Sequence, residues 1–201
     1  MSYYHNLITN KSWQTLQKLK KEFDFILIGG WAVWLYSESL KSKDIDIVVD
    51  YKELEKIRKD YDLAKNNRLK KYEIKTDSIS VDIYVGFYSD LGVPAEKITG
   101  YIQKLKGFKV PKKEVLLILK QKAYEARQLS IKGRKDLIDI FSLILLPDFD
   151  WQLYLKTLKS YQLLDFAKEL EGLIRKTTEL KELDLNCHKF SRLKKDLLLN
   201  F

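Results

Sequence analysis

The chain has 201 residues, 45% of them hydrophobic and 32% charged, so it is long enough for one large or two small domains and too apolar for general disorder. Lysine and arginine number 37 against 28 aspartates and glutamates, and the net charge of +9 favours polyanionic partners such as nucleotide or RNA; a lysine-rich soluble surface has the same composition. A single cysteine, Cys187, excludes an intrachain disulfide framework and a cysteine-rich zinc site, and suits a reducing cytoplasm.

In chain order, MSYYHNLITN lacks the apolar stretch of a signal peptide. Asn10 or Ser12 is expected to cap a first helix through Trp13, Leu16 and Leu19. Phe25 to Ile28 is a short apolar run ended by Gly29 and Gly30, which reads as a buried strand and a tight turn. Trp31 to Tyr36 lacks period-2 alternation and reads as a helix, with Trp31, Trp34 and Tyr36 as core or pocket wall. The uncharged run from Phe25 to Ser37 is shorter than the roughly 18 residues a membrane span needs, and no membrane role is expected. Asp44 to Val49 alternates as a strand, and Asp50 is a turn or cap residue. Tyr51 to Ala64 reads as an amphipathic helix with Leu54, Ile57 and Leu63 on its apolar side.

Two paired strands follow, Lys70 to Asp77 and Ile79 to Val85, separated by Thr76-Asp77-Ser78. Pro94 to Pro111 is a connection in which Leu105 to Val110 is expected to add an edge strand. Beyond Pro111 the pattern is helical: Lys112 to Ser130 with Val115, Leu116, Leu119 and Ala123 inward, then Lys135 to Leu146, broken by Pro147-Asp148, with Asp150 able to cap the next helix. The remainder carries Leu153, Leu155, Leu158, Leu163, Leu164, Phe166 and Leu170 at helical spacing. The expected organisation is α+β: an α/β domain over residues 1–110 with a mixed sheet and flanking helices, then an all-helical domain over residues 111–201 that completes a cleft.

The chemistry is concentrated between Phe25 and Asp82. Side chains at i and i+2 of a strand share a face, so Asp44 and Asp46 project together while Ile45, Ile47 and Val49 face the other way. Neighbouring carboxylates repel unless a cation or proton joins them, and oxygen ligands suit Mg²⁺. Asp82 alternates with Val81 and Ile83 and likewise faces away from the apolar side. Gly29 and Gly30 let a ligand approach the backbone at a helix start. No GxxxxGK[ST] is present, which excludes a P-loop phosphotransferase.

GGWAV followed by KDIDIVVD resembles the nucleotidyltransferase superfamily (polymerase β-like), whose pattern is a Gly-Gly or Gly-Ser turn, a short helix and Asp-x-Asp, with a third carboxylate on a later strand, here Asp82. The likeness is strongest to AbiEii-type toxin nucleotidyltransferases and to aminoglycoside and lincosamide nucleotidyltransferases. VPKKEVLLILKQKAYEAR and KGRKDLIDIFSL resemble the AbiEii-type pattern of Leu-x-x-Lys, Ala, Arg and then Lys/Arg-Asp-x-x-Asp, so coverage runs from about residue 24 to 146. Trp31 stands where many members carry Ser, which leaves phosphate contacts at this turn to backbone N–H groups.

The resemblance implies transfer of a nucleoside monophosphate from an NTP to a hydroxyl, with two Mg²⁺ ions held by Asp44, Asp46 and Asp82, and with Asp82 also a candidate base. Gly29, Gly30, Lys43 and Lys120 are the candidate nucleotide contacts; Lys120 shares a helix face with Ala123 and Arg127, and Lys122 is its competitor. Asp136 and Asp139 are either catalytic or partners of Arg127 and Lys120. His5 and His188 read as surface residues. The acceptor is open between tRNA, a protein hydroxyl and a small molecule, and a toxin with a cognate antitoxin partner is implied. The alternative is a non-catalytic nucleotide- or RNA-binding module of the same fold.

Overall fold

The computed structural model describes residues 6–75 and 79–201. Helix α1 (Asn6–Glu22) leads to β1 (Ile26–Ile28), α2 (Gly29–Ser37), β2 (Ile45–Val49), α3 (Tyr51–Asp60) and three strands, β3 (Ala64–Asn66), β4 (Lys71–Lys75) and β5 (Ser80–Val85). A 3-10 helix (Ala95–Tyr101), β6 (Ile102–Leu105) and β7 (Phe108–Pro111) follow. The helices α4 (Lys113–Arg127), α5 (Ile131–Ile144), α6 (Trp151–Ser160), α7 (Asp165–Lys176) and α8 (Cys187–Leu198) end the chain. Together they make an α+β fold with one mixed seven-stranded sheet of order β3-β4-β5-β2-β1-β7-β6.

Alternation in the strands sorts side chains between core and cleft. In β5, Val81, Ile83 and Val85 are buried while Ser80, Asp82 and Tyr84 are half-buried on the other face. β2 runs parallel to β5 with Asp46 beside Asp82, and antiparallel to β1 with Asp46 beside Ile28. This register places the acidic start of β2 against the end of β1, where α2 begins. Helix α2 touches β1 and β2 and is covered by α4 and α5. Its Trp31, Ala32, Val33 and Leu35 are buried, as expected of a helix apolar on most sides. Buried residues from Leu16 to Leu197 form one apolar cluster, and Val110, at the expected boundary between halves, is buried within β7.

Several expected elements shift for identifiable reasons. Helix α1 starts at Asn6, so neither Asn10 nor Ser12 caps it. Ser12 is instead buried mid-helix, where its Oγ accepts the indole N–H of Trp31 at 2.8 Å. Trp13, Trp31 and Trp34 stack around that bond, with centroids of Trp13 5.0 and 5.3 Å from the other two. Helix α3 stops at Asp60 and not Ala64, because Ala64–Asn66 is drawn into the sheet as the edge strand β3. Asp50 caps α3 by accepting from the Glu53 N–H at 2.7 Å, and Asp150 caps α6 by accepting from Leu153 at 2.9 Å.

The 94–111 connection holds more than one strand. β6 and β7 form a hairpin across Lys106 and Gly107, both at positive φ, and β7 is interior because it pairs in parallel with β1. β6 is the edge. Ala123 is half-buried at the cleft, and Leu164 is exposed because it precedes α7 instead of lying within a helix. His188 and Cys187 are exposed; His5 and the expected turn Thr76-Asp77-Ser78 lie outside the described residues. Among the described residues no helix is long and apolar enough to cross a membrane.

The buried Ser12–Trp31 bond sets a test of this packing. Ser12→Ala leaves the indole N–H without an acceptor and is expected to cost about 1–3 kcal/mol in urea denaturation. Adding Trp31→Phe, which removes the donor, should return part of that loss; a Ser12→Ala variant as stable as the wild type would show that the bond contributes nothing.

Candidate active site

The site is built where β1 ends. Gly29 opens α2 at φ +66°, in the left-handed region, and a Cβ there would lie 2.1 Å from Asp46 Oδ2. Only glycine therefore permits both the turn and the carboxylate behind it. Gly30 faces the other wall: a Cβ would meet Lys135 Nζ at 2.6 Å and Ser42 Oγ at 2.8 Å. The N-cap residue Ile28 makes no side-chain cap, and Gly29 and Gly30 of the first turn of α2 line this space.

Three carboxylates line the cleft beside the turn; strand alternation accounts for Asp46 and Asp82, whereas Asp44, expected to open the strand, lies just before it because β2 begins at Ile45. Asp46 lies in β2, Asp82 next to it in β5, and Asp44 in the bend just before β2. Asp46 has no hydrogen-bond or salt-bridge partner among the described residues. Burial, then the charge of Asp82 and more weakly that of Asp44, push its carboxyl up to about 6, against the pull of Lys120 and Arg127. Asp44 is paired with the half-exposed Lys132 at 3.0 Å. Asp82 Oδ2 is paired with Lys71 at 2.6 Å, and Lys71 also reaches Glu73 at 3.0 Å.

The opposite wall comes from α4 and α5. Gly133 lets the start of α5 press on the end of α4, since a Cβ there would lie 2.2 Å from the Arg127 carbonyl oxygen. The close approach assembles a network of charges that is buried except at Arg127. Lys120 Nζ lies 2.6 Å from Asp139 and 3.2 Å from Asp136; Lys135 reaches Asp139 at 3.0 Å; Arg127 Nε donates to Asp136 at 2.7 Å. Burial works against the charge of Lys120, yet Asp139 and Asp136 hold its ammonium above the ordinary lysine range. Burial would likewise raise the Asp136 carboxyl, but Lys120 and Arg127 hold it below its usual value. Lys135 goes the other way, because burial outweighs Asp139 and Lys120 repels it.

The two walls enclose a cleft of about 560 Å³. Gly29, Gly30, Asp44, Asp46, Asp82 and Lys120 all line it, while Lys43, half-buried in the bend before Asp44, does not. Lys122 also lines it, from the rim, where it pairs with Glu125 at 3.0 Å; its place about 200° around α4 from Lys120 does not exclude it. Asp136 and Asp139 are ion-pair partners of Arg127 and Lys120. A second cavity, of about 310 Å³, opens at the far ends of β1 and β2 beside Phe25, Val49 and Phe87, away from the carboxylates.

Sequence reasoning missed Lys71, Lys132, Lys135, Ser42 and Tyr84, which also face the cleft. Lys135 had a signal, because it stands one turn before Asp139 on α5. Lys71 had a weaker one: it shares strand parity with Glu73, the cross-strand neighbour of Asp82. Asp44 and Asp46 fit a hard divalent cation in donor type, and the unpartnered charge of Asp46 favours one. Among the described residues, no three acidic, histidine or cysteine side chains already converge as a ligand group.

No family model matches the chain, and no curated protein does. Solved structures do. JHP933 from Helicobacter pylori aligns over 95% of this chain and 92% of its own, at 14% identity and a TM-score of 0.51. A second H. pylori protein, provisionally described as a nucleotidyltransferase, aligns over 96% and 94% at 14% identity and a TM-score of 0.52. The fold is nucleotidyltransferase-like. An antigenic nucleotidyltransferase-like protein from Paracoccidioides brasiliensis, 20% identical, aligns over 89% of this chain and 93% of its own with a TM-score of 0.47. At such identities the likeness concerns the fold alone.

Two measurements follow from the charges. The Asp46 carboxyl is raised from 3.8 to about 6, so the folded state holds a proton there that the unfolded chain has released, and stability falls as pH rises through that window. Asp46→Asn should therefore melt on the order of a few degrees above the wild type at pH 7.5 and show no such gain near pH 4. Equal melting at both would refute the raised Asp46 carboxyl. Lys120→Ala removes the cation shared by two buried carboxylates, leaving Asp136 only Arg127 and Asp139 only Lys135, and should cost on the order of 3 kcal/mol in denaturant titration. Lys122→Ala should stay within about 0.5 kcal/mol of the wild type, and the reverse order would overturn the assigned network.

Proposed function

We propose that this chain is a metal-dependent nucleotidyltransferase that moves a nucleoside monophosphate group from an NTP to an acceptor hydroxyl. The observation that supports this best is the placement of Asp44, Asp46 and Asp82 beside the uncapped, glycine-led start of α2, across one cleft from the basic wall of α4 and α5. A helix start with free N–H groups attracts phosphate. The network of buried Lys120 and Lys135 and exposed Arg127 against Asp136 and Asp139 carries an excess of one positive charge, and Lys120, Arg127, Lys135 and Asp136 line the same space.

In this reading the N–H groups of Gly29 and Gly30 receive the triphosphate, with Lys135 and the buried Ser42 hydroxyl beside Gly30. Ser42 supplies from the following loop the hydroxyl that Trp31 cannot. Asp44 and Asp46 would hold Mg²⁺, which when bound neutralises charge on the phosphoryl oxygens. Lys120, fixed by two aspartates, adds a preorganised positive charge that does not need to reorganise as phosphoryl charge shifts. In this reading Asp82 would accept the proton of the attacking hydroxyl, so that the oxygen attacks the α-phosphorus and pyrophosphate leaves. Because residues from both halves line the cleft, residues 1–110 and 111–201 would both be required.

The acceptor is proposed to be tRNA, a protein hydroxyl or a small molecule. A toxin role with a cognate antitoxin rests on the AbiEii resemblance. One observation favours the alternative of a non-catalytic nucleotide- or RNA-binding module: Lys71 already neutralises Asp82. Incubation of the protein with each α-³²P-NTP, Mg²⁺, and total RNA or lysate separates the readings. The wild type should transfer label and release pyrophosphate. Asp44→Asn and Asp46→Asn should lose on the order of 100-fold or more, and Gly30→Val should raise the KM for the NTP. Nucleotide binding without transfer under any acceptor condition would leave the binding module as the function.

A further inference from the structure

The three carboxylates of the cleft are not equivalent, and the differences lie in their cations. Asp46 has no ion-pair partner among the described residues. Asp44 is met by Lys132, whose side chain is 51% exposed, so water readily replaces the ammonium and the lysine can swing away. Asp82 is clamped. Its Oδ2 lies 2.6 Å from Lys71 Nζ and its Oδ1 accepts from Ser80 Oγ at 3.3 Å, so both oxygens are engaged.

Lys71 is itself held from a second side. Its Nζ lies 3.0 Å from Glu73 Oε1, and that oxygen is in turn fixed by Asn66 Nδ2 at 3.0 Å. Glu73 and Asp82 are direct cross-strand neighbours, so β4 delivers the lysine and one carboxylate of the clamp and β5 delivers the other. The lysine side chain is only 11% exposed. A desolvated ammonium between two carboxylates does not leave readily, because it would have to abandon both. An ammonium in that position also repels a divalent cation approaching the same carboxylate.

We propose that Lys71 is the permanent cation of Asp82, so that Asp44 and Asp46 are the whole protein ligand set for a single divalent ion, in place of the second ion that the resemblance implies. Lys71 is thereby a positioning residue: it fixes the Asp82 carboxylate and supplies one positive charge on the side where a second metal would otherwise be recruited. Magnesium commonly takes one or two protein carboxylates and completes its shell with phosphate and water, so two aspartates suffice. The proposal rests on the nucleotidyltransferase reading of the cleft.

The test counts ions without using activity. Mn²⁺ alone is titrated into the full-length protein and free Mn²⁺ is read by electron paramagnetic resonance. The wild type should bind one ion. Asp82→Asn should still bind one, with Kd within about threefold of the wild type, whereas Asp46→Asn should weaken binding by about tenfold or more. Lys71→Met/Glu73→Gln, which removes one charge of each sign and frees Asp82, should bind a second ion with the dipolar broadening of a close Mn²⁺ pair. If that variant does not fold, the comparison of folded Asp82→Asn with Asp46→Asn decides. Two ions in the wild type, or a loss in Asp82→Asn beyond that threefold margin, would show that Asp82 ligates directly and would overturn the proposal while leaving the metal-dependent reading intact. Binding of no ion by the wild type would overturn the metal reading of the cleft together with the proposal.

Discussion

The Asp46 carboxylate sits where any side chain at position 29 would have to go, and much of the site follows from that. With the Asp46 carboxylate 2.1 Å from where a Cβ of Gly29 would be, the turn into α2, the antiparallel register of β1 on β2 and the position of the acid are set together. The parallel register of β2 on β5 then brings Asp82 alongside. A half-buried carboxylate with two like-charged neighbours is held there by the strand pairing against its own electrostatics, and the cost appears as its raised pKa. A group perturbed by burial and by named charge neighbours in a cleft is a functional-site candidate.

Lysines answer that charge in different ways. Lys132 is exposed and meets Asp44 loosely, as surface pairs do. Lys120 and Lys135 are buried with their partners on α4 and α5, and they depend on the tight approach that Gly133 allows between those helices. Lys71 is locked in the sheet between β4 and β5. A buried cation surrounded by carboxylates is a fixed dipole of the scaffold and need not reorganise when charge shifts on a bound phosphate, whereas an exposed one is replaceable by ion or substrate. The cleft thus has a rigid floor of charge and an adjustable rim.

The apolar core explains why these charges can be held so firmly. The tryptophan cluster of α1 and α2, pinned by the Ser12–Trp31 bond, anchors the helix whose first turn carries both glycines. On its other side α2 packs on α4 and α5, so its N-terminus and the basic wall belong to one body of packed side chains. Interiors of that density resist displacement, which keeps the walls of the cleft at a fixed separation.

Sequence alone determined the features that depend on local geometry. Alternation in β2 and β5 put Asp46 and Asp82 on one side; the Gly-Gly pair marked the turn; Asp50 and Asp150 marked helix starts; and helical spacing beyond Pro111 marked the change of class. Each is a rule of two to four residues along the chain. The tertiary structure decided what depends on pairing between distant segments. It drew Ala64–Asn66 out of the expected helix into the sheet edge and made β7 an interior strand by pairing it with β1. It turned Ser12 from a cap into a partner of Trp31, and put Lys71 on Asp82, Lys132 on Asp44 and Lys135 beside Gly30 while leaving Lys43 off the cleft. A lysine reaches several ångströms from its backbone, so its spacing in the chain says little about which carboxylate it meets. Only the register of β4 on β5 and the packing of α5 on α2 and α4 settle that.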